Sequence, residues 1–173
     1  NDDNSIIDYF IERADGIPTG SIGNAGLVGR AFDTYLINPA PGSDDIYDSF
    51  VLGFPEQQEI LISDGRADRI QLSYGGNYDN KLFFGAGIGI TTLEYSSTKD
   101  FSEFFEGEPL LNLLSYEDIF ITGNGFNFNI GAIAKINDAI RVGASIVSPT
   151  WYNLDEEFSN GLITNYDNYY YAP

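Results

Sequence analysis

Strict two-residue alternation between residues 125 and 152 limits this chain to a small set of folds. Large apolar side chains occupy alternate positions in two runs: Phe126, Phe128 and Ile130 in the first, and Ile140, Val142 and Ile146 in the second. A period of two is typical of β-strands, and residues 135–138 between the runs are typical of a tight turn. We therefore predict a β-hairpin with one apolar face and one small, polar face.

A second stretch with the same alternation lies between residues 69 and 98. Apolar positions flank the turn Asp79-Asn80: Ile70, Leu72 and Tyr74 before it, and Leu82, Phe84 and Ile88 after it. Asp-Asn is well suited to the centre of a hairpin turn. Glycines at positions 85, 87 and 89 share the other face, so we expect another group to approach the backbone there.

Charge is scarce in these two stretches, although the chain as a whole is strongly acidic. The net charge is −18, from 26 acidic and 8 basic residues. Residues 67–98 and 122–152 contain only the acids Asp68, Asp79, Glu94 and Asp138. A sheet in water usually carries charge on its solvent-facing side, whereas the lipid-facing side of a membrane barrel does not. We therefore expect the apolar face to meet lipid and the polar face to line a lumen.

The predicted fold class is thus mainly β: an antiparallel transmembrane β-barrel, of which about five strands are present, with two short helices in a long external loop. The residues predicted to face lipid are Leu82, Phe84, Ile88, Phe126, Phe128, Ile130, Ile140, Val142 and Ile146. Trp151 and Tyr152 lie at the end of the second hairpin away from its turn. We assign both to an aromatic girdle at the membrane interface, with ligand stacking as the alternative.

The acidic segments between the hairpins are expected to be external loops. The predicted segments are an external loop region with two short helices (1–55), strands and the first hairpin (56–98), an acidic, aromatic external loop (99–118), the second hairpin (119–152) and an external loop (153–173). The first helix is expected over residues 5–14, where Ser5 and Asp8 form a capping box. The second is expected over residues 24–37, with Asn24 as its cap.

Missing residue types exclude several classes of function. The chain contains no His and no Cys, which removes the commonest general base, the usual zinc ligands and any disulfide. No nucleophile–base spacing stands out, so we predict no enzyme, no cofactor and no metal site. A strongly negative chain with few scattered cations also disfavours nucleic acid as a partner.

The same stretches, taken in order, resemble one family of membrane proteins. The matching pieces are residues 5–10 (SIIDYF), 14–16 (ADG), 35–39 (YLINP), 73–82 (SYGGNYDNKL), 85–90 (GAGIGI), 123–132 (GNGFNFNIGA), 137–144 (NDAIRVGA) and 148–152 (SPTWY). Together they resemble the FadL-type outer-membrane transport proteins, the long-chain fatty acid transporter family, in the form common in Bacteroidetes. No single piece is a catalytic signature, and the order of the set carries the resemblance.

The resemblance implies a monomeric barrel with an N-terminal plug and helical external loops, in the outer membrane of a Gram-negative bacterium. It implies passive, ligand-gated uptake of hydrophobic, fatty-acid-like molecules, with outer-membrane lipid as the other partner. Partner proteins are not identified by it. Because a lipid-spanning barrel needs at least about eight strands, we expect this chain to be an internal portion of such a protein.

Two readings of the apolar helices remain open. They can pack on each other and on the sheet, or they can form a hydrophobic ligand-binding surface. The residues of that surface would be Ile7, Phe10, Ile11, Leu27, Val28 and Phe32. Arg141 is a candidate partner for an acidic head group, with a position at the membrane rim as the alternative. A β-rich surface binding or interaction module, or a barrel subunit of a larger outer-membrane assembly, is the alternative function.

Overall fold

Three short helices and a small two-stranded sheet come first in the chain. The structure, a computed structural model, describes residues 5–51 and 54–167. The helices are α1 (Ile6–Ala14), α2 (Thr19–Ile22) and α3 (Leu27–Asp33), followed by the antiparallel strands β1 (Asn38–Pro39) and β2 (Tyr47–Asp48). Within the described ranges, no helix combines the length and apolarity needed to cross a membrane.

The first helix begins as the sequence predicts. The Ser5 Oγ accepts a hydrogen bond from the backbone N–H of Ile7 at 3.1 Å, and the Asp8 carboxylate accepts one from the backbone N–H of Ser5 at 3.3 Å. These two bonds complete the predicted capping box. The apolar face of α1 buries Ile7, Phe10 and Ala14.

The second predicted helix is shorter than expected, and a further helix precedes it. Its N-cap is Gly26, at φ +61°, and not Asn24, while α2 lies between the two predicted helices. Gly29 lets α2 and α3 approach each other, because a Cβ there would lie 2.6 Å from the carbonyl oxygen of Ile22. The left-handed φ of +59° at Tyr35 then turns the chain away from α3.

Five strands form the main sheet, as many as predicted. They are not the same five, because the last one occupies most of the segment predicted as a loop over residues 153–173. They are β3 (Glu56–Tyr78), β4 (Leu82–Phe104), β5 (Leu110–Lys135), β6 (Arg141–Val147) and β7 (Trp151–Tyr166). Strands β3, β4 and β5 are neighbours in that order, and β6 and β7 both pair with β5. The short connections between β3, β4 and β5 require antiparallel neighbours, and the β5–β6 pair is antiparallel as well.

Two segments predicted as loops are strands, which corrects the sequence-based boundaries. Strand β4 continues to Phe104 and β5 begins at Leu110, so only residues 105–109 remain of the loop expected over 99–118. Strand β7 replaces most of the loop expected over 153–173. Both segments are predicted as loops because they are acidic. They form strands because packing and strand pairing stabilise them, which the propensities of single residues do not capture. The remaining parts of the predicted segments, residues 1–4, 52–53 and 168–173, lie outside the described residues.

The chain divides into two compact units. The helical unit comprises Asn1–Ile62, Ser97–Asp118 and Phe158–Pro173, and the sheet unit comprises Ser63–Ser96 and Ile119–Glu157. The helical unit contains the hydrophobic core. Its buried apolar residues are Ile7, Phe10, Ala14, Ile22, Ala31, Leu36, Ile37, Tyr47, Val51, Phe105, Leu110, Leu113 and Leu162.

A buried carboxylate fastens α1 to the strands of the helical unit. Glu103 on β4 is fully buried and accepts hydrogen bonds from the Ser5 hydroxyl at 2.6 Å, the Ile6 backbone N–H at 2.8 Å and the Gln57 side-chain amide at 2.8 Å. Two of these donors belong to the start of α1, where free N–H groups and the helix dipole favour an anion. Glu103 therefore determines where α1 docks.

Removing this carboxylate should loosen α1. In Glu103→Ala, the donors of Ser5, Ile6 and Gln57 lose their charged acceptor, so we expect a cost of about 1–3 kcal/mol and faster hydrogen exchange of the α1 amides. Glu106→Ala is the matched control, because Glu106 is exposed in the following turn. Equal α1 protection in Glu103→Ala and in the unmodified protein would contradict this role.

Tyr47 gives the helical unit a sensitivity to alkaline pH. Burial, together with the nearby carboxylates of Asp44, Asp45 and Asp15, raises the pKa of the Tyr47 hydroxyl, which donates to the carbonyl of Ile17 at 2.8 Å. Since the unfolded chain loses this proton near pH 10 while the folded chain still holds it, this stabilisation is complete below about pH 10 and declines above it.

We therefore expect the thermal stability of the helical unit to fall more steeply between about pH 9 and pH 11 in the unmodified protein than in Tyr47→Phe. Thermal unfolding followed by circular dichroism at each pH measures this difference. The other alkaline groups are common to both proteins, so parallel pH profiles would rule out a contribution from Tyr47.

Candidate functional site

The sheet unit presents two faces of opposite chemistry. We call the first the apolar face, which carries the predicted lipid-facing residues Leu82, Phe84, Ile88, Phe126, Phe128, Ile130, Ile140, Val142 and Ile146. We call the second the glycine face, which carries Gly85, Gly87 and Gly89 on β4, Gly123, Gly125 and Gly131 on β5, and Gly143 on β6. The registers of the strands place like residues side by side on each face, for example Ile130 opposite Ile146 and Gly131 opposite Ser145.

On β4 and β5, the burial of the two faces is the reverse of what a water-soluble sheet shows, whereas β3 and β6 are exposed on both faces. The predicted lipid-facing side chains are all exposed, at 41% for Leu82 up to 66% for Ile146. Gly87, Gly89 and Gly125 on the glycine face are buried, and so are Thr91 and Asn127. In water, a two-faced sheet normally turns its large apolar side chains inward.

The apolar face ends at a sharp polar boundary. On β4 it extends from Leu82 to Ile90, about nine residues, and Thr92 and Glu94 then follow on the same face. The polar positions just beyond the boundary line a shallow cleft of about 320 Å³: Arg66, Asp68, Thr92, Glu94, Thr122, Asn124 and Asp155 are among its residues. Arg66 and Asp68 form an ion pair there at 2.6 Å. Thus β3, β4, β5 and β7 all become polar beyond the same boundary.

Trp151 and Tyr152, predicted together as a girdle, lie on opposite faces. The Trp151 ring stacks on Phe126 and Phe128 of the apolar face, with centroid distances of 5.0 and 5.9 Å. The Tyr152 ring instead covers Gly125 on the glycine face, within 2.7 Å of where a Cβ would stand. Successive residues of a strand point to opposite sides, so only Trp151 has the position that the girdle requires.

A shift of one residue between β6 and β7 decides which of the two rings lies on the apolar face. Even-numbered residues of β6 share the apolar face with those of β5, as Ile146 does with Ile130. Beyond residues 148–150, the even-numbered Leu154 lies against Gly123 on the glycine face. The link, which contains Pro149, therefore acts as a β-bulge. Strand β5 itself continues through Gly123 and Gly125.

The glycines of β4 make room for polar side chains from both neighbouring strands. A Cβ at Gly89 would lie 2.4 Å from the Asn127 Oδ1 and 3.0 Å from the Arg69 Nε, and one at Gly87 would lie 2.9 Å from the Asn129 Oδ1. The approaching group that the glycines predicted is thus supplied by the sheet itself. Arg69, Asn127 and Asn129 were not identified from the sequence, and only the glycine spacing pointed to them.

Nearer the turns, the glycine face lines an open cavity of about 710 Å³. Phe83, Ile133 and Val147 give this part of the face an apolar surface, while Ser73, Ser145 and Asn129 contribute polar groups. The cavity therefore combines an apolar floor with scattered hydrogen-bonding groups, which is the usual chemistry of a site for small organic molecules.

Arg141 stands at the turn end of the sheet unit. It lies directly opposite Lys135 across the β5–β6 pair. Lys135 is paired with Asp138 at 2.6 Å, while no carboxylate of the described residues lies within 4.0 Å of Arg141. Its predicted role toward an acidic head group stays a prediction.

The structure divides the ligand-binding residues predicted on the helices into two groups. Ile7 and Phe10 belong to the core of the helical unit, with exposures of 1% and 0%. Ile11, Leu27, Val28 and Phe32 are only partly buried and pack against that core. Core packing therefore accounts for Ile7 and Phe10, and a ligand can reach only the second group.

A groove of about 340 Å³ in the helical unit includes one of these residues. Leu27, Ile6, Tyr9 and Phe101 supply apolar surface above Phe10, and Ser115 and Glu117 lie on the strand side. Lys99, which also lines the groove, is paired with Glu59 at 3.1 Å. Tyr9 and Phe101 are members that sequence reasoning missed, because the groove forms only when α1 and α3 meet the strands.

Neither a search for metal ligands nor comparison with known proteins assigns a function to the chain. Within the described ranges, no group of three or more Asp or Glu side chains is placed to hold a metal ion. No known family model matches the chain, and comparison with curated proteins finds no match. The geometry of the two faces and of the groove therefore carries the functional argument.

The close contact over Gly89 can be tested with a matched pair of glycine-to-alanine substitutions. Gly89→Ala places a Cβ against the buried Asn127 side chain, so we expect a loss of about 1–3 kcal/mol. Gly85→Ala meets only the Tyr74 carbonyl oxygen at 3.5 Å, an ordinary contact, and should stay within about 0.5 kcal/mol. Thermal unfolding of both variants measures the difference. Equal stabilities would show that Asn127 can move aside freely.

Proposed function

We propose that this chain is part of an antiparallel β-barrel in the outer membrane of a Gram-negative bacterium. We propose further that the barrel takes up hydrophobic small molecules by passive, ligand-gated diffusion. The observation that carries the proposal is the reversed burial on β4 and β5, where large apolar side chains are exposed and Gly87, Gly89, Gly125 and Asn127 are buried. Lipid is the solvent in which such a sheet is stable, because the apolar face then leaves water.

The dimensions of the apolar face support a membrane location. About nine residues at about 3.3 Å each span a little under 30 Å along a strand, and a tilted membrane strand needs about 9–11 residues. Soluble monomers rarely expose contiguous apolar patches larger than a few hundred Å². The polar boundary at Thr92 and Asn124, with Trp151 beside it, fits the level at which a barrel wall leaves the hydrocarbon.

Uptake of a hydrophobic ligand is supported by two surfaces. The groove at Tyr9, Leu27 and Phe101 offers apolar area on the helical unit, where each Å² of apolar surface covered contributes about 25 cal/mol. The glycine face offers a second, more polar surface with its own apolar floor. The resemblance to FadL-type proteins supplies the expectation that the ligand is fatty-acid-like.

A β-rich surface binding or interaction module is the second candidate. The packed core of the helical unit favours it, because that unit buries apolar side chains as a water-soluble domain does. In this candidate the apolar face of the sheet unit meets water or a protein partner. A barrel subunit of a larger outer-membrane assembly would share the lipid-facing wall and differ in its partners.

Two isoleucines on one strand separate these candidates. Ile130 lies on the apolar face at 51% exposure, and Ile133 lies on the glycine face at 47% exposure. If the apolar face meets lipid, Ile130→Arg near the middle of the face should cost about 2–4 kcal/mol and reduce insertion into membranes, whereas Ile133→Arg should insert normally. Recovery of each variant in the outer-membrane fraction measures insertion.

The matched exposures make the opposite outcome informative. In a water-soluble module both positions face solvent, so both substitutions should stay within about 0.5 kcal/mol and the protein should remain monodisperse without detergent. Equal recovery of the two variants, together with solubility in plain buffer, would therefore overturn the barrel proposal.

A further inference from the structure

Arg69, on the glycine face, is hydrogen-bonded to a buried amide and lies over a glycine. The Arg69 Nη2 donates to the Asn127 Oδ1 at 3.0 Å, and the guanidinium lies over Gly89, where a Cβ would come within 3.0 Å of two of its nitrogens. Strands β3, β4 and β5 thus supply the cation, the space and the hydrogen-bond acceptor.

The acceptor is itself fixed. Asn127 is only 4% exposed, and its Nδ2 donates to the Thr150 hydroxyl at 3.2 Å. Because the amide is buried and bonded on both sides, it gives the exposed guanidinium a fixed acceptor above Gly89. An arginine positioned in this way loses less conformational entropy on binding a ligand than a free surface arginine does.

Most of the donors of Arg69 remain available. A guanidinium has five N–H groups, and within the described residues only the contact with Asn127 is made. No carboxylate of the described residues lies within 4.0 Å of Arg69, whereas Arg66, three residues earlier and on the opposite face, is paired with Asp68. Like Arg30 and Arg141, Arg69 therefore keeps a positive charge that no carboxylate of the described residues compensates.

The geometry points to Arg69 as an oxyanion-binding residue that selects the head group of an amphipathic ligand on the glycine face. This inference rests on the proposed function, because it assumes that a hydrophobic molecule reaches that face. The planar guanidinium can bind a carboxylate or sulfate through two parallel N–H groups. Apolar surface for the tail lies on the same face, at Phe83, Ile133 and Val147 near the turns and at Tyr152 and Leu154 against the β5 glycines.

Four ligands with similar chains and different head groups test this role: decanoate, decyl sulfate, decanol and decyltrimethylammonium. Binding to the purified protein in non-ionic detergent is measured by equilibrium dialysis, with protein-free detergent as background. We expect both anions to bind more tightly than decanol, and the cation to bind most weakly. Arg69→Gln should weaken anion binding about tenfold or more and leave decanol binding within about twofold.

Three further variants separate head-group recognition from a structural role. Arg66→Gln removes the same charge from the opposite face and should change none of the four affinities. Arg69→Lys keeps the charge without the planar fork and should retain part of the anion affinity. Asn127→Ala should lower anion affinity less than Arg69→Gln does. Unchanged decanol binding in each variant shows that the surface for the tail is intact.

The outcomes distinguish this inference from the proposed function. Loss of both anions in Arg69→Gln assigns oxyanions in general, and loss of decanoate alone assigns carboxylates. Equal binding of decanol and decanoate, unaffected by Arg69→Gln, or an equal loss of decanol binding in that variant, would overturn the inference and leave uptake of hydrophobic molecules standing. Failure of the unmodified protein to bind any of the four would overturn both.

Discussion

Pairing between neighbouring backbones is the constraint on which the sheet unit depends. Once β4 and β5 are hydrogen-bonded along their length, successive side chains must point to opposite faces. The alternating sequence then collects every large apolar group on one side and the glycines on the other. Exposing the apolar side of such a sheet to water is unfavourable, and the acidity of the chain does not offset this, because few of the acidic residues lie in the two hairpins.

The glycine face shows how small residues on one strand organise polar residues on its neighbours. Gly87 and Gly89 have no side chains of their own to fill the surface, so Asn129, Asn127 and Arg69 extend across β4 and occupy it. Each hydrogen bond there depends on the missing Cβ below it. The same face therefore provides a polar region around the buried Asn127 amide beside an apolar floor, and this combination is the basis of the head-group recognition proposed for Arg69.

The helical unit follows the ordinary rule for a folded domain in water. Its apolar side chains form a core, and the fully buried carboxylate of Glu103 is satisfied by three donors. This contrast between the units has a simple origin. Helices α1 to α3 can bury their apolar stripes against each other and against strands, whereas the apolar face of the sheet unit has no counterpart among the described residues.

The sequence by itself determined the local features, because these depend on nearby residues: the capping box of α1, the turn at Asp79-Asn80 with its left-handed φ angles, and the alternation that sorts the hairpins. Only the tertiary structure decided three others. It extended β4, β5 and β7 into acidic segments, because packing and pairing outweigh composition. It placed Trp151, and not Tyr152, on the apolar face, because the bulge at residues 148–150 shifts the alternation by one residue. It also joined Arg69 to Asn127, because residues distant in the chain meet only when three strands are in register.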